Sequence, residues 1–467
     1  MASQNMRWLP EILLTLILAF WWQVAHPQSL IEKGPLLLSQ ALGYALEHSP
    51  SITSAKSSVT GAQAQKLAAV AALLPNLSVT GEPQIFTPLV ASGNSVIGGV
   101  VVPSGHGYSA NVVSANLSLN VFSGGKRVAN LRASLAALRS ADFGLTATLD
   151  ALFEQLLTDF TAATSDQITV RSEERILRLI RDLARLTNLR LHGRVASQLD
   201  VIQVQQQLLQ ARLQMSQARQ QSTSDLEKVY ADIGFPETAD ALALEEWIPA
   251  APSTIPDEIP MEQDPSVSSA REALTSAQEK VTAARADYYP TISLVGQYNY
   301  LGIDPSSLGL AFRDTHANNY SFGIEVTVPI LPLLNVQSEV DAADAGVESA
   351  EGQYQGARVS AANRIADASE RLHEAQDALD IGTRADELAR QNLRLVQDRY
   401  AARQASLSDI DTAELLAVQA EESLAIAEIN FRLAGWERYR SINGKEFPTA
   451  VLAAVAGERR DTFPPTP

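Results

Sequence analysis

A mainly helical chain that carries short amphipathic strands and is built as an internal two-fold repeat is what the 467-residue sequence predicts. Three observations predict it. One segment recurs at an offset of 215 residues, each copy is followed by a proline-free stretch of 64 residues, and each copy contains strand-length segments that alternate apolar with small or polar side chains. Composition agrees: aromatics are 6 % and the apolar fraction of 46 % leans on alanine, which suits long packed helices better than several bulky cores. With 53 acidic against 36 basic residues the net charge is -17, which disfavours nucleic acid as a partner. The absence of cysteine excludes disulfides, thiolate metal sites, cysteine nucleophiles and a thioether-linked lipid anchor.

In chain order, residues 12–22 form an apolar run after Arg7 and before the small residues Val24 and Ala25, the layout of a secretory signal over residues 1–28. The run is short for a membrane span, and an uncleaved anchor is the alternative. No other stretch reaches 18 consecutive apolar residues, so a mature chain that enters a membrane must do so with strands.

The first repeat covers residues 36–233: a helix, a strand pair over 77–122, a long helix over 126–190 and a returning helix over 197–233. The second covers 265–444, with a strand pair over 291–330, a long helix over 335–400 and a returning helix over 406–440. Residues 50–81 align without a gap to 265–296 with 13 identities in 32 positions, and Pro75 falls on Pro290. Later the offset becomes 209 and places Asp200 on Asp409. The halves are joined by residues 234–264, whose prolines (236, 249, 252, 256 and 260) forbid a continuous helix and mark a linker or small side element. Residues 445–467 end in Phe-Pro-Pro-Thr-Pro and are expected to be a disordered tail.

Val113, Ala115, Leu117, Leu119 and Val121 alternate with Ser114, Asn116, Ser118 and Asn120. Tyr320, Phe322, Ile324, Val326, Val328 and Ile330 repeat the pattern, Ile292, Leu294, Tyr298 and Tyr300 do so more weakly, and Pro83 interrupts the strand that starts at Leu77. Alternation alone fits a half-buried soluble strand as well as a transmembrane one of about 10 residues. Residues 92–109 and 302–319, rich in Gly, Ser, Asn and Pro, are expected to be long exposed loops. Each 64-residue stretch makes a rod of about 95 Å at helical rise. Leu131, Leu135, Leu138, Leu145, Leu149, Leu152 and Leu156 follow the seam spacing of a coiled coil, with Asp142 interrupting. Four strands cannot close a barrel, and an open edge cannot sit in lipid; oligomerisation would remove the conflict.

Taken together, Leu38-Ser39-Gln40-Ala41-Leu42 followed by His48-Ser49-Pro50, the junctions Leu73-Leu74-Pro75 and Tyr288-Tyr289-Pro290, Val121-Phe122-Ser123-Gly124-Gly125-Lys126-Arg127 and the paired helix breaks resemble the TolC family of outer-membrane efflux and type I secretion channels. The match runs from about residue 36 to 444. The resemblance implies a homotrimer whose protomers each give four strands to a twelve-stranded β-barrel in the bacterial outer membrane. That barrel would continue into a long periplasmic α-helical barrel, with the linker in a band around its middle. It also implies a periplasmic adaptor (membrane fusion) protein and an inner-membrane pump as partners, contact with outer-membrane lipid, and no cofactor.

Two helix breaks carry the candidate site. His192-Gly193-Arg194-Val195-Ala196-Ser197 offers Gly193 for a left-handed turn and Ser197 as a helix cap. Arg399 to Asp409 repeats it with Arg403 and Ser406, but has Ala402 where the family usually has glycine. By the resemblance, Gly193, Arg194, Ser197, Arg403 and Ser406 form hairpin tips that meet the adaptor; read alone, they are αα-hairpin turns. Asp200 and Asp409 are expected one to two turns into the returning helices. There the resemblance makes them a carboxylate gate at the periplasmic aperture, and the macrodipole makes them ordinary first-turn acids; Asp411 lies close by. The six histidines lack ligand spacing and Ser123-Gly124-Gly125-Lys126 lacks the rest of a phosphate loop, so neither a metal site nor an enzyme is expected. The readings left in play are a passive exit duct and, against it, an exported helical scaffold or adaptor-type protein without a channel.

Overall fold

A computed structural model describes residues 36–86, 95–97, 100–102, 108–194, 197–234, 244, 248–252, 264–304, 308–313, 317–330, 333–444 and 446–462. The expected signal over 1–28 lies outside them, as do most of the linker and the last five residues. In order, the elements are α1 (Leu38–His48), α2 (Pro50–Ala71), β1 (Asn76–Phe86), β2 (Ser95–Ile97), β3 (Val100–Val102), β4 (Tyr108–Ser123), α3 (Lys126–His192) and α4 (Gln198–Ile233). The second half follows with α5 (Pro265–Arg285), β5 (Thr291–Asp304), α6 (Leu308–Arg313), β6 (Ala317–Thr327), α7 (Leu333–Ala401), α8 (Leu407–Asn443) and α9 (Phe447–Thr462). The described residues within Met1–Ser54, Ala147–Asp264 and Ala361–Pro467 form one compact unit, and those within Ala55–Thr146 and Pro265–Ser360 form the other.

The second unit holds an antiparallel sheet of order β1-β4-β5-β6. Its register sorts the side chains by chemistry. Leu77, Leu117, Gly296 and Phe322 form one cross-sheet row and Val79, Ala115, Tyr298 and Tyr320 the next on that face. The intervening rows, Ser78-Asn116-Gln297-Ser321 and Thr80-Ser114-Asn299-Asn319, are wholly polar, and Asn299 Nδ2 donates to Asn319 Oδ1 at 3.1 Å. Phe322 covers the gap at Gly296, where a Cβ would come within 2.9 Å of its ring, the arrangement by which an aromatic side chain shields a strand glycine. Pro83 sits within β1 without ending it, because β1 is an edge strand and its missing N–H removes no bond from an interior ladder. In β4 the expected alternation stops at Val121. A bulge between Asn120 and Phe122 makes Val121 the extra residue and puts Phe122 opposite Ile292, because one inserted residue inverts the period-two pattern. Both expected loops contain short structure, the β2–β3 hairpin and α6.

Gly124 (φ 59°) and Gly125 (φ 91°) turn β4 into α3, and a Cβ on Gly124 would lie 2.7 Å from the Ala286 carbonyl oxygen, so no side chain fits there. The adjoining end of α3 packs on α5 through small residues. Ala129, Ala133 and Ala136 are buried, Ser276 Oγ donates to the Ala133 carbonyl at 2.9 Å, and Ser140 and Ser269 each donate to the other's carbonyl at 2.9 and 2.8 Å. The leucine seam departs from expectation here: Leu131, Leu135 and Leu138 are only half-buried, because the alanines one and two positions away take the close approach.

In the first unit, Leu152, Phe153, Leu156, Leu157 and Phe160 of α3 pack with α1, Val229 and Ile233 of α4, and Ile429 and Trp436 of α8. Trp436 is fully buried, donates Nε1–H to the Pro249 carbonyl at 2.8 Å and meets Tyr439 and Phe447 edge-on. The linker is therefore part of this core where it is described, with Leu244 bridged to Leu36 and Ile248 buried. The C-terminal segment corrects the expected tail. Residues 447–462 are helical, since Phe447 and Val451, one helical turn apart, both fit the apolar core, and Pro448 is tolerated in a first turn. Arg440 is half-buried between the buried Asp150, at 2.9 Å, and Glu154. Burial pushes the Asp150 carboxyl up to about 7 despite that guanidinium.

Candidate functional site

The two helix breaks share backbone features where both are described. At the end of α3, Arg194 N donates to the Leu191 carbonyl at 3.0 Å, and Gly193 N to that of Leu189 at 3.1 Å. At the end of α7, Arg403 N donates to Tyr400 at 2.9 Å, Ala402 N to Asp398 at 3.0 Å and Gln404 N to Arg399 at 2.7 Å, the paired bonds of a Schellman stop. The left-handed residue is Arg194 in the first turn and Arg403 in the second, each at φ 59°. This corrects the expectation for Gly193, which does not have positive φ, and removes the significance of Ala402: neither turn needs glycine at that position. The position glycine usually fills holds arginine in both copies, at the steric cost of a Cβ facing the following carbonyl.

The returning helices start with reciprocal capping boxes. Asp200 N donates to Ser197 Oγ at 3.2 Å while Ser197 N donates to Asp200 Oδ2 at 2.8 Å. Asp409 N donates to Ser406 Oγ at 3.2 Å, and Asp409 Oδ2 accepts from Ser406 N at 2.7 Å and from Ser406 Oγ at 2.8 Å. The aspartates thus stand at the third helical position, in the first turn rather than one to two turns in, because the cap needs its reciprocal acid there. Both carboxyls are held below the ordinary carboxylate range, first by the backbone N–H of Ser197 or Ser406 and then by the serine hydroxyl. Both remain exposed to solvent and charged.

Asp411, two residues beyond Asp409, behaves oppositely. Burial and then Glu414 push its carboxyl up, while Arg190 at the end of α3 draws it down. The equivalent residue of the first repeat is Ile202, so the duplication is not symmetric here.

A feature the sequence reading missed lies where α3 and α4 run side by side. Asp159 lies beside Asp232 and Asp225 beside Asp166, and after burial these neighbours help to raise the Asp232 and Asp166 carboxyls. The members are seven residues apart on each helix, and that heptad spacing of aspartates was the available signal. Lys228 Nζ donates to Asp225 Oδ1 at 2.6 Å, Gln221 Nε2 to Asp225 Oδ2 at 3.1 Å and Gln155 Nε2 to Asp159 Oδ2 at 2.6 Å. Among the described residues no group of three or more His, Asp or Glu is arranged to hold a metal ion, and no helix is long and apolar enough to cross a membrane.

A family model described as outer membrane efflux protein matches residues 41–234 and 261–434. Among solved structures, the chain is similar to the outer membrane protein VceC of Vibrio cholerae, with 17 % identity, TM-score 0.70, and 87 % of this chain and 96 % of that one covered. It is also similar to the Campylobacter jejuni CmeC outer membrane channel (16 %, TM-score 0.71, 91 % and 88 %). The Neisseria gonorrhoeae MtrE outer membrane channel, solved in its open state, is a third (18 %, TM-score 0.67, 87 % and 88 %). No curated protein sequence matches significantly.

Proposed function

The chain belongs to the outer membrane efflux protein family, so its work is efflux across the outer membrane, and we propose that it does this as a passive homotrimeric duct fed by an inner-membrane pump through a periplasmic adaptor. The sheet carries the reading. Its two edges, β1 and β6, are both open in one chain, and its apolar face is bare: Leu77 and Val79 are 66 % and 68 % exposed, Tyr320 and Phe322 76 % and 79 %. Such a surface is stable only against lipid or another apolar partner, and such edges are stable in lipid only when paired. Three copies laid edge to edge give twelve strands with an apolar outside and a lining of Ser, Thr, Asn and Gln, suited to a water-filled lumen.

In the same reading Asp200 and Asp409 form the periplasmic aperture. Three protomers contribute six carboxylates, all kept ionised by their own caps, so the opening favours cations. Gly193, Arg194, Ser197, Arg403 and Ser406 belong to the tips that meet the adaptor. A scaffold or adaptor would have no use for a second amphipathic strand pair. The test is fractionation of cell envelopes with cross-linking. A trimer in the outer-membrane band is the expected result, and a monomeric or soluble species would end the duct reading.

A further inference from the structure

We propose that the seam between α3 and α8 holds a binding site for an amphipathic organic amine, taken up as its ammonium cation. The site lies within one chain, so the inference is independent of the duct reading. Ile168, Val418 and Ala425 form the apolar wall of a cavity of about 290 Å³, close to the lower end of the range for small-ligand pockets. Ile168 packs on the cluster around Phe160, and Val418 belongs to the cluster of Ile176 and Leu177, so the cavity opens where the two apolar clusters part. Two buried oxygens there lack a hydrogen-bond partner. Ser172 lines the cavity at 5 % exposure, and its Oγ is buried and unpaired. Next to it in sequence, Glu173 Oε2 is likewise buried and unpaired.

The charges around the cavity set the sign of the ligand. The lining itself balances, with Arg171 and Arg175 against Glu421 and Glu422, and the adjoining Glu173 supplies an excess negative charge. Neither arginine is free: Arg175 is taken by Glu421 at 2.7 Å, and Arg171 is engaged within the chain. Glu422 adds its like charge to Glu173, whose carboxyl is pushed up first by burial and then by that neighbour. Two carboxylates that crowd each other beside an apolar wall favour a cation, and an anionic ligand would add a third like charge. A primary ammonium has three N–H donors, enough for Glu173, Glu422 and Ser172 Oγ, while its hydrocarbon body covers the apolar wall. A bare metal ion would leave that wall uncovered, and among the described residues no group of three ligands is arranged for one. Water satisfies Ser172 but neither neutralises the carboxylates nor covers the wall.

The test uses the full-length protein in non-ionic detergent and two probes of the same shape, phenethylammonium and the neutral phenethyl alcohol. Saturation-transfer NMR follows both, with protein-free micelles as the blank. The amine is expected to bind saturably and at least about tenfold more tightly than the alcohol, with the difference shrinking as salt rises. Glu422→Gln keeps the volume and should remove most of that preference. Ser172→Ala takes away the buried acceptor and should weaken amine binding about fivefold. Ala425→Leu fills the cavity and should abolish saturable binding of the amine. No saturable amine binding by the wild type, the result if the cavity takes only water, overturns the assignment, as does equal affinity for the two probes. So does a preference that survives in Glu422→Gln, or amine binding undiminished in Ser172→Ala or in an Ala425→Leu protein that melts within a few degrees of wild type. Where Ala425→Leu does not fold, the other two variants decide.

Discussion

Replacing Asp232 by asparagine tests the acid pairs between α3 and α4 in a way that has a defined sign. In the Asp166–Asp225 pair, burial would raise Asp225, but hydrogen bonds from Lys228 and Gln221 outweigh it and hold that carboxyl low, so the proton resides on Asp166, raised to about 6 by burial and then by Asp225. In the other pair, burial and then the Asp159 carboxyl raise Asp232 to about 7. Asp166 Oδ2 and Asp232 Oδ2 are buried with no hydrogen-bond partner among the described residues, a setting that favours the protonated form of each. A carboxyl whose folded pKa lies above its unfolded value of 3.8 binds more protons in the folded state between those values. Stability is therefore full at low pH and is lost as pH rises towards 7. The shift of Asp232 corresponds at most to about 4 kcal/mol, but the side chain is only half-buried, and solvent screening brings a realistic figure to about 1–2 kcal/mol. Asparagine keeps the size and mimics the neutral acid, so Asp232→Asn should be near neutral at about pH 4 and stabilising by about 1–2 kcal/mol at pH 8. Amide hydrogen exchange along residues 155–166 and 225–233 reads this directly: at pH 8 the variant should exchange about 5 to 30 times more slowly than wild type. Equal exchange at pH 8, or faster exchange in the variant, would refute the account of a raised Asp232 carboxyl.

Three further outcomes are expected. Asp409→Asn keeps an oxygen to accept from the Ser406 N–H and so leaves the cap largely intact while removing charge; single-channel recordings should show reduced cation preference, and unchanged selectivity would remove Asp409 from the aperture. Ile324→Arg places a charge on the bare apolar face opposite Leu294, at a cost of up to about 2–4 kcal/mol that grows with depth in the membrane; the yield of assembled trimer should fall, and normal assembly would mean that this face does not meet lipid. Arg440→Leu strands Asp150 and should cost about 3 kcal/mol in urea unfolding at pH 8. The loss should be smaller at pH 5, where Asp150 takes up a proton, and a pH-independent loss would argue that packing alone is at stake.

Much of the architecture was legible in the sequence because it is written in local periodicity. Strand alternation, proline-free helical runs, paired breaks and the gapless recurrence of residues 50–81 each depend on neighbours a few positions away. Ser197 and Ser406 were readable as caps for the same reason, a cap being a three-residue matter. What the tertiary structure decided was everything set by partners distant in the chain. The left-handed residue at each tip is Arg194 or Arg403 and not Gly193, because the place where the helix hydrogen bonds run out, and not the presence of glycine, selects it. The bulge at Val121 follows from pairing with β5, to which the β4 sequence is blind. Phe447 and Trp436 bring the C-terminal helix and part of the proline-rich linker into a core whose other members lie hundreds of residues away. The carboxyl pairs arise only when α3 and α4 lie side by side. Burial and proximity are properties of the packed chain, and they raise Asp166 and Asp232 above the ordinary carboxylate range.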